Sequence, residues 1–156
     1  MQCQTSRLRR SGPGGQHRNK VETAVVLTHE PTGIAAEANE RRSQAQNLAV
    51  AQQRLRVRLA LECRTEPRVC ARAYPSDLWR RRVQNGRLAV NRDHDDYPSL
   101  LAEALDVLAA ADWDDRLAAE RLAISRTQLV RFLKTEPLAL GQLNGVRKER
   151  GQAELR

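Results

Sequence analysis

The hydrophobic pattern changes its period near Ser43, and this change limits the folds that the chain can adopt. Before it, Thr23 to His29 (TAVVLTH) is rich in β-branched residues, and Ile34 to Ala38 forms a second short run. The sequence EPTG between them contains a proline and a glycine, so these segments predict a β-hairpin closed by residues 30–33. After it, apolar residues recur three and four positions apart until about Glu62, which predicts a long amphipathic helix.

The rest of the chain is expected to be irregular first and helical afterwards. Residues 73–98 contain proline and the turn dipeptide Asn85-Gly86, which favours an irregular connector with one hairpin strand at Arg87 to Val90. Residues 99–156 carry leucines at helical spacing behind Ser99, a predicted N-cap. The predicted fold class is α+β, with a small sheet and a packed helix at 1–72, a connector at 73–98 and a helical region at 99–156.

The helical region contains a pattern typical of a helix-turn-helix. Asp114 or Asp115 is a candidate N-cap for a first short helix, and Ser125 with Gln128 matches a capping box for a second one. Glu136-Pro137 predicts the end of this second helix. Glycines at 141 and 145 are expected to weaken any helix that follows.

The charge distribution predicts a polyanionic partner for the N-terminal half. The chain has 27 Lys and Arg against 19 Asp and Glu, a formal net charge of +8. Residues 1–72 hold 13 basic and 6 acidic side chains, whereas residues 99–156 hold nine of each. Because the whole chain has only five aromatic residues, phosphate contact is favoured over base stacking. No apolar signal core or membrane-length run occurs, so we expect a soluble, cytoplasmic protein.

The spacing of the possible metal ligands predicts no metal site. The cysteines form no CxxC pair, and no histidine completes a zinc spacing; these residues are Cys3, Cys63, Cys70, His17, His29 and His94. A phosphate-binding P-loop needs Lys followed by Ser or Thr, but Lys20 is followed by Val21. We therefore expect neither a metal nor a cofactor.

Residues 11–20 (SGPGGQHRNK) contain three glycines and one proline, which predicts a loop with unusual backbone demands. The tripeptide GGQ is weak evidence alone, but its context is specific. It stands in RRSGPGGQHRNKVETAVVLTHEPTGI, which is followed by RRSQAQN and the arginine-rich helix. Over residues 5–62 this order resembles the catalytic domain shared by class I peptide chain release factors and codon-independent ribosome-rescue hydrolases.

The resemblance implies hydrolysis of the ester bond in ribosome-bound peptidyl-tRNA. In that family the main-chain amide of the glutamine stabilises the transition state and its side chain shapes the water pocket, roles that would fall on Gln16. Gly14 and Gly15 would supply positive φ and a close approach of the backbone. The implied partners of this monomer are the RNA of the large-subunit peptidyl transferase centre, the P-site peptidyl-tRNA and a glutamine methyltransferase that modifies Gln16.

Basic residues near the loop and on the helix are candidate RNA contacts. The predicted set is Arg9, Arg10, His17, Arg18, Lys20, Arg42, Arg54 and Arg58. On the helix, the arginines at 54, 56 and 58 equally fit a solvated face, and both interpretations stay open. His17 as a general base is disfavoured because no orienting carboxylate is apparent nearby.

The C-terminal half departs from both branches of the family. A stop-codon-reading domain and its recognition tripeptides are missing, so activity without a stop codon is expected. The short rescue hydrolases carry a Lys/Arg-rich tail, whereas residues 99–156 are neutral and cluster only Arg147, Lys148 and Arg150 near the end. One rival is a nonenzymatic ribosome-binding or RNA-binding protein that retains the loop. Another is a DNA-binding regulator that would use Arg126, Gln128, Arg131 and Lys134.

Overall fold

The computed structural model describes residues 2–8, 23–65 and 74–156, and its fold is α+β, as predicted. The chain divides into two compact units, with the boundary after Leu59. We call residues up to Leu59 the sheet unit and residues from Ala60 onward the helical unit. This division differs from the expected boundaries at residues 72 and 98, because Trp79 is fully buried and stacks edge to face on Phe132 within the helical unit.

The sheet unit is a three-stranded antiparallel sheet followed by a long helix. The strands lie in the order β1-β2-β3, and α1 runs into the helical unit. Their bounds are β1 Cys3–Leu8, β2 Ala24–His29, β3 Ala35–Ala38 and α1 Gln44–Glu62. The buried core consists of Val25, Leu27, Ala36, Ala38, Ala51 and Leu55. The predictions of β2, β3 and α1 are therefore confirmed, whereas β1 was not predicted; the alternating and helical patterns of the predicted elements define one shared apolar face.

The hairpin between β2 and β3 closes as the sequence predicts. The His29 carbonyl accepts hydrogen bonds from the amides of Thr32 (3.2 Å) and Gly33 (2.8 Å). Gly33 has φ +71°, a conformation in which a side chain would be strained. The turn chemistry in residues 30–33 thus fixes the register in which Leu27 faces Ala36.

The helical unit contains five helices and one short hairpin in its described part. These are α2 Asp77–Arg82, β4 Val83–Gln84, β5 Arg87–Leu88, α3 Tyr97–Ala110, α4 Asp115–Arg121, α5 Arg126–Lys134 and α6 Pro137–Glu149. Its core is built from large side chains, including Trp79, Tyr97, Leu105, Leu129 and Leu143. None of the described helices is long and apolar enough to cross a membrane.

Two expectations for the C-terminal half are wrong. The described part of the connector, residues 74–98, contains the expected hairpin and an irregular stretch at 89–96, but it also contains the unexpected helix α2, which burial of Trp79 stabilises. The helix expected to start at Ser99 begins at Tyr97, since Pro98 has a backbone angle suited to a first helical turn. The predicted helical character of the last segment is seen in α6, which runs through both glycines; burial of Ala139 and Leu143 offsets a cost of about 1 kcal/mol per glycine, and the weakening by the glycines stays a prediction.

The caps of the helix-turn-helix follow the predicted chemistry. The Asp114 carboxylate accepts hydrogen bonds from the amides of Arg116 (2.8 Å) and Leu117 (3.0 Å) at the start of α4. The Ser125 hydroxyl oxygen accepts one from the Gln128 amide (3.2 Å) at the start of α5. Both helices therefore begin where side-chain oxygens satisfy free N–H groups.

Candidate functional site

The residues expected to carry the chemistry, Gly14, Gly15 and Gln16, lie outside the described residues. The same is true of five predicted RNA contacts, namely Arg9, Arg10, His17, Arg18 and Lys20. The structure does describe the other three predicted contacts and the strands on either side of residues 9–22. The structure therefore shows how the two ends of segment 9–22 are attached to the sheet.

The ladder between β1 and β2 holds the two ends of segment 9–22 together. Its last partners are Leu8, where the chain leaves the sheet, and Ala24, where the chain returns. Partner Cα atoms in an antiparallel ladder lie about 4.5–5.5 Å apart. The segment that contains the GGQ tripeptide is thus anchored at both ends to one end of a hydrogen-bonded sheet.

A buried amide, that of Asn47, fixes the second of these ends. Asn47 is fully buried in the first turn of α1, and its Nδ2 donates to the carbonyls of Thr23 (2.7 Å) and Arg41 (3.0 Å). Its Oδ1 accepts from the amide of Arg41 (2.8 Å). One side chain therefore ties the start of β2 to the turn before α1, and the three bonds meet the polar demand of its burial.

Asn47 is not among the residues predicted from sequence, although a signal for it is present. It precedes Ala51 by four residues and Leu55 by eight, which puts it on the buried face of the helix. A polar side chain on such a face needs partners supplied by the fold. Its partner Thr23 lies 24 residues earlier in the chain, so the spacing alone does not identify it.

The Asn47 tie brings two exposed arginines beside the start of β2. Arg41 makes both backbone bonds to Asn47, and Arg41 and Arg42 are exposed immediately before α1. No acidic residue occupies the first turn of that helix, so its positive dipole end adds to their charge. This corner of the sheet unit therefore favours an anion. The structure agrees with the exposure expected of Arg42, and it adds Arg41, which is absent from the predicted set.

Arg54 is engaged by the protein itself. Its guanidinium donates to the carbonyl of Glu37 (2.7 Å) and forms an ion pair with Glu40. The pKa of the Glu40 carboxyl lies below its ordinary value, because its own amide, the Asn39 amide and Arg54 donate hydrogen bonds to it. About half of the Arg54 side chain stays exposed. Arg54 thus has a structural function, and its contact with RNA stays a prediction.

Arg58 repeats this arrangement one helical turn later. Its guanidinium donates to the carbonyl of Ala35, two residues before the carbonyl that Arg54 contacts. Residues four apart on a helix and two apart on a strand are separated by similar distances, about 6 to 7 Å. In the described sheet β3 is an edge strand, so the two arginines cover carbonyls that another chain could pair with.

The hairpin turn in the THEPTGI sequence lies at the opposite end of β2 from the predicted loop. Ala24 and His29 are five residues apart along one strand, which corresponds to about 17 Å. In the turn, His29 Nδ1 and the Thr32 hydroxyl are hydrogen-bonded at 2.8 Å. This part of the family-like sequence therefore shapes the hairpin and does not belong to the site.

In the helical unit, the residues of the predicted DNA-reading helix lie on α5. The Arg126 guanidinium forms a two-pronged ion pair with the buried Asp115, with N to O distances of 2.9 and 3.0 Å. Arg131 and Lys134 are exposed on the same helix, and Gln128 is half-buried. The arginine best suited to a base contact is thus already bonded within the protein.

Comparison with known proteins agrees with the resemblance drawn from the sequence. The model of the RF-1 domain family matches residues 1–93, which includes the sheet unit and extends to the β4–β5 hairpin. Peptide chain release factor 2 of Acidovorax sp. (strain JS42) is 56% identical over 55 residues, which cover 35% of this chain and 15% of that protein.

A longer match reaches into the helical unit. Peptide chain release factor 1 of Frankia casuarinae is 39% identical over 130 residues, covering 72% of this chain and 36% of that protein. The release factor 1 of Acidiphilium cryptum is 56% identical over 52 residues, covering 33% of this chain and 15% of its own length. The chain thus spans little more than a third of these relatives at most. Because the family model matches more than half of it, the chain belongs to the RF-1 domain family.

Proposed function

We propose that this protein hydrolyses the ester bond of ribosome-bound peptidyl-tRNA and does so without a stop codon. The observation that carries the proposal is the anchoring of segment 9–22. Leu8 pairs with Ala24, and Asn47 ties Thr23 to the exposed arginines before α1. A loop that must enter a narrow RNA site needs such a support, because a small misplacement of reacting groups slows a reaction strongly.

The chemistry assigned to the loop requires no side-chain nucleophile. Water attacks the ester carbonyl carbon, and the carbonyl oxygen gains negative charge. The bond to the tRNA ribose oxygen then breaks as that oxygen takes a proton from the water, which leaves a free peptide carboxyl and a ribose hydroxyl. The main-chain amide of Gln16 would donate a hydrogen bond to the oxygen that gains charge, and its side chain would bound the space for water. Gly14 and Gly15 would allow the backbone to approach without Cβ atoms.

The proposed partners are the RNA of the peptidyl transferase centre and the acceptor end of the P-site tRNA. Arg42, with Arg41 beside it, supplies exposed positive charge next to the anchored segment. Arg9, Arg10, His17, Arg18 and Lys20 would supplement it from within the segment. A glutamine methyltransferase acting on Gln16 and a cytoplasmic location complete the proposal.

The proposed independence from a stop codon rests on the helical unit. The match to the RF-1 domain family ends at residue 93, within the helical unit, and residues 60–156 form a unit with its own apolar core. We propose that this helical unit recruits the protein to ribosomes in place of codon reading. Measuring peptide release on messages with and without a stop codon tests the independence from a stop codon separately from the hydrolysis of the ester.

The test measures release of labelled peptide from ribosomes that carry peptidyl-tRNA, with a truncated message, a stop codon or a sense codon in the A site. Wild type is compared with Gly15→Ala and with Gly145→Ala, a matched control whose new Cβ meets open space on α6. We expect Gly15→Ala to lower the release rate on the order of 10²-fold or more, the cost of misplacing a donor to the charged oxygen. Gly145→Ala should release peptide like wild type.

Each arm of the test decides one part of the proposal. Binding of wild type to ribosomes without release on any message would overturn hydrolysis and favour the nonenzymatic RNA-binding rival. Release that requires the stop codon would overturn codon independence and keep hydrolysis. Equal loss in both glycine variants would show that the GGQ loop is not the sensitive element.

A further inference from the structure

A basic groove lies along the exposed face of α5 and is not used by the proposed reaction. Its volume is about 510 Å³. We call it the α5 groove. It is lined by Arg126, Thr127, Val130, Arg131, Lys134, Thr135, Leu155 and Arg156. Four of these eight residues are cationic and none is acidic or aromatic, although residues 99–156 as a whole are neutral.

The floor of the α5 groove is held by the core of the helical unit. Leu129, Phe132 and Leu133 are buried on the opposite face of α5. The turn before α5 contains Ala123 with φ +54°, and the carbonyl of the preceding Leu122 accepts a hydrogen bond from Trp79 Nε1 at 2.9 Å. The helix is therefore presented by a well-packed turn, as in a helix-turn-helix that docks on a nucleic acid.

One side of the groove is helix α5, and the other side is the segment that follows α6. The Asn144 side chain makes two hydrogen bonds to the backbone of Leu155, at 2.8 and 3.0 Å. The Arg147 guanidinium donates to the carbonyl of Ala153 at 2.9 Å. These bonds fold the segment back onto α6, so the groove has two defined sides.

The charges in the groove are not equivalent. Arg126 is ion-paired with the buried carboxylate of Asp115, which Arg147 also approaches at 3.4 Å. In contrast, Arg131 and Lys134 are exposed, and no residue of the described ranges 2–8, 23–65 and 74–156 forms an ion pair with them. Their uncompensated charge makes this face attractive to an anion.

The chemistry of the exposed side chains favours a phosphate backbone over base edges. Thr127, Arg131 and Lys134 share one face of α5 within two turns, about 10 Å, and a hydroxyl, a guanidinium and an ammonium are all common phosphate ligands. The fork of Arg126, which could read a guanine, is bonded to Asp115. The groove also lacks the aromatic platform on which single-stranded bases stack.

We propose that the α5 groove binds the sugar-phosphate backbone of a double-helical segment of ribosomal RNA. The choice of ribosomal RNA rests on the proposed function, whereas the phosphate chemistry rests on the groove itself. Binding of this kind is independent of sequence and weakens as salt rises. It would recruit the helical unit to a ribosome without any contact with the codon.

The test compares two double variants of the full chain. Arg131→Ala with Lys134→Ala removes two charges from the groove, and Arg116→Ala with Lys148→Ala removes two exposed charges of the same unit outside it. Binding is measured by fluorescence anisotropy with a labelled 20-base-pair RNA duplex and a DNA duplex of the same sequence, and by co-sedimentation with ribosomes. Each titration is repeated between about 50 and 200 mM salt, the range over which phosphate contacts lose most affinity.

We expect the groove variant to bind the RNA duplex and ribosomes about tenfold more weakly near 0.1 M salt. Its plot of log affinity against log salt should be shallower by about 2, since two phosphate contacts are lost. The control variant should change affinity less than about threefold, the effect of net charge alone. Equal weakening in both variants, or none in the groove variant, would overturn the proposal, and tighter binding of DNA than of RNA would overturn the choice of RNA.

The same preparations separate this proposal from the proposed function. If wild type releases no peptide but the groove variant alone loses RNA binding, hydrolysis is rejected and the groove is supported. If wild type releases peptide and the groove variant binds RNA and ribosomes like the control, the groove is rejected and hydrolysis is supported. Circular dichroism of each variant checks that the exposed substitutions leave the fold intact.

Discussion

The buried cores of the sheet unit and of the helical unit are built from different side chains. In the sheet unit, three of the six buried core residues are alanines, and polar side chains connect the elements: Asn47 joins α1 to Thr23, while Arg54 and Arg58 bond to β3. In the helical unit, Trp79, Tyr97 and many leucines are fully buried. The sheet unit therefore has a small apolar core, and side-chain hydrogen bonds link its helix to its strands. The helical unit has a large apolar core in addition to side-chain bonds of its own, such as the ion pair between Arg126 and Asp115.

This difference fits the proposed division of labour. A unit that must position a loop gains from hydrogen bonds, because each bond fixes distance and direction as well as adding stability. A unit that only presents a charged helix can rely on close packing, which is less directional. Substitutions in the two units should consequently differ in kind: loss of stability dominates in the helical unit, and loss of positioning in the sheet unit.

The largest expected effect is a loss of stability in the helical unit on Trp79→Ala. Trp79 is fully buried, packs edge to face on Phe132 at 5.9 Å and donates to the Leu122 carbonyl. Its removal should lower the free energy of unfolding by about 4 kcal/mol, the usual cost of truncating a buried tryptophan. Urea unfolding followed by fluorescence of the other tryptophan, Trp113, measures it.

The control for this prediction is Leu138→Ala, which truncates a side chain that is 66% exposed. It should change the free energy of unfolding by less than about 0.5 kcal/mol. A similar cost for both substitutions would contradict the claim that burial around Trp79 stabilises the helical unit. Trp79→Phe, which retains an aromatic ring, should fall between the two.

A smaller loss of stability with a larger loss of activity is expected on Asn47→Ala. The substitution leaves the carbonyls of Thr23 and Arg41 and the amide of Arg41 without their partner, at a cost of about 2 kcal/mol to the sheet unit. Hydrogen exchange measured by mass spectrometry should show faster exchange in β2 and the first turn of α1. Peptide release should fall as well, because the start of β2 is an end of the predicted loop.

The matched control is Gln46→Ala, which shortens an exposed amide at the neighbouring position. It should leave both exchange and release unchanged. If Asn47→Ala alters exchange without slowing release, the tie stabilises the sheet unit but does not position the loop. That outcome would remove the main structural support for the proposed function.

The elements that the sequence predicted correctly are those specified by local patterns. The β2–β3 hairpin has its turn residues between a run rich in β-branched residues and a second short apolar run, and α1 has a sustained helical period. The sequence failed where tertiary contacts decide: burial of Trp79 turns part of an expected connector into a helix of the core. Local sequence does not reveal which distant side chain supplies the burial.

The same limit applies to the candidate site. The motif that surrounds Gly15 identifies the family from residue order alone, whereas the function of Asn47 depends on a partner 24 residues away. The arginines at 54 and 58 looked equally suited to phosphate or to water, and the structure shows a third use, in bonds to the carbonyls of β3. Charge predicts a class of partner, but only the fold shows which charges are already engaged.

The smallest expected effect concerns the acid sensitivity of the sheet unit, through Glu40. The pKa of Glu40 is lowered from its ordinary value of 4.5 by hydrogen bonds from its own amide, the Asn39 amide and Arg54. A lowered folded-state pKa means that this stabilisation is present above 4.5 and is lost as the pH falls through the folded-state value. Because 43% of the Glu40 side chain is exposed, the effect should be small.

In wild type, hydrogen-exchange protection in β3 should fall below pH 4.5, the ordinary pKa of this carboxyl, as Glu40 becomes protonated. In Glu40→Gln this fall should be smaller, once the exchange rates are corrected for the intrinsic effect of pH. The helical unit provides an internal comparison, since the bond from Arg82 lowers the pKa of Asp96 there. Protection around Asp96 should still decline with acid in the variant. A parallel change in both units would show that acid acts through net charge and not through the bond between Arg54 and Glu40. A flattened response confined to the sheet unit would show that its polar contacts respond to pH independently of the apolar core in the helical unit.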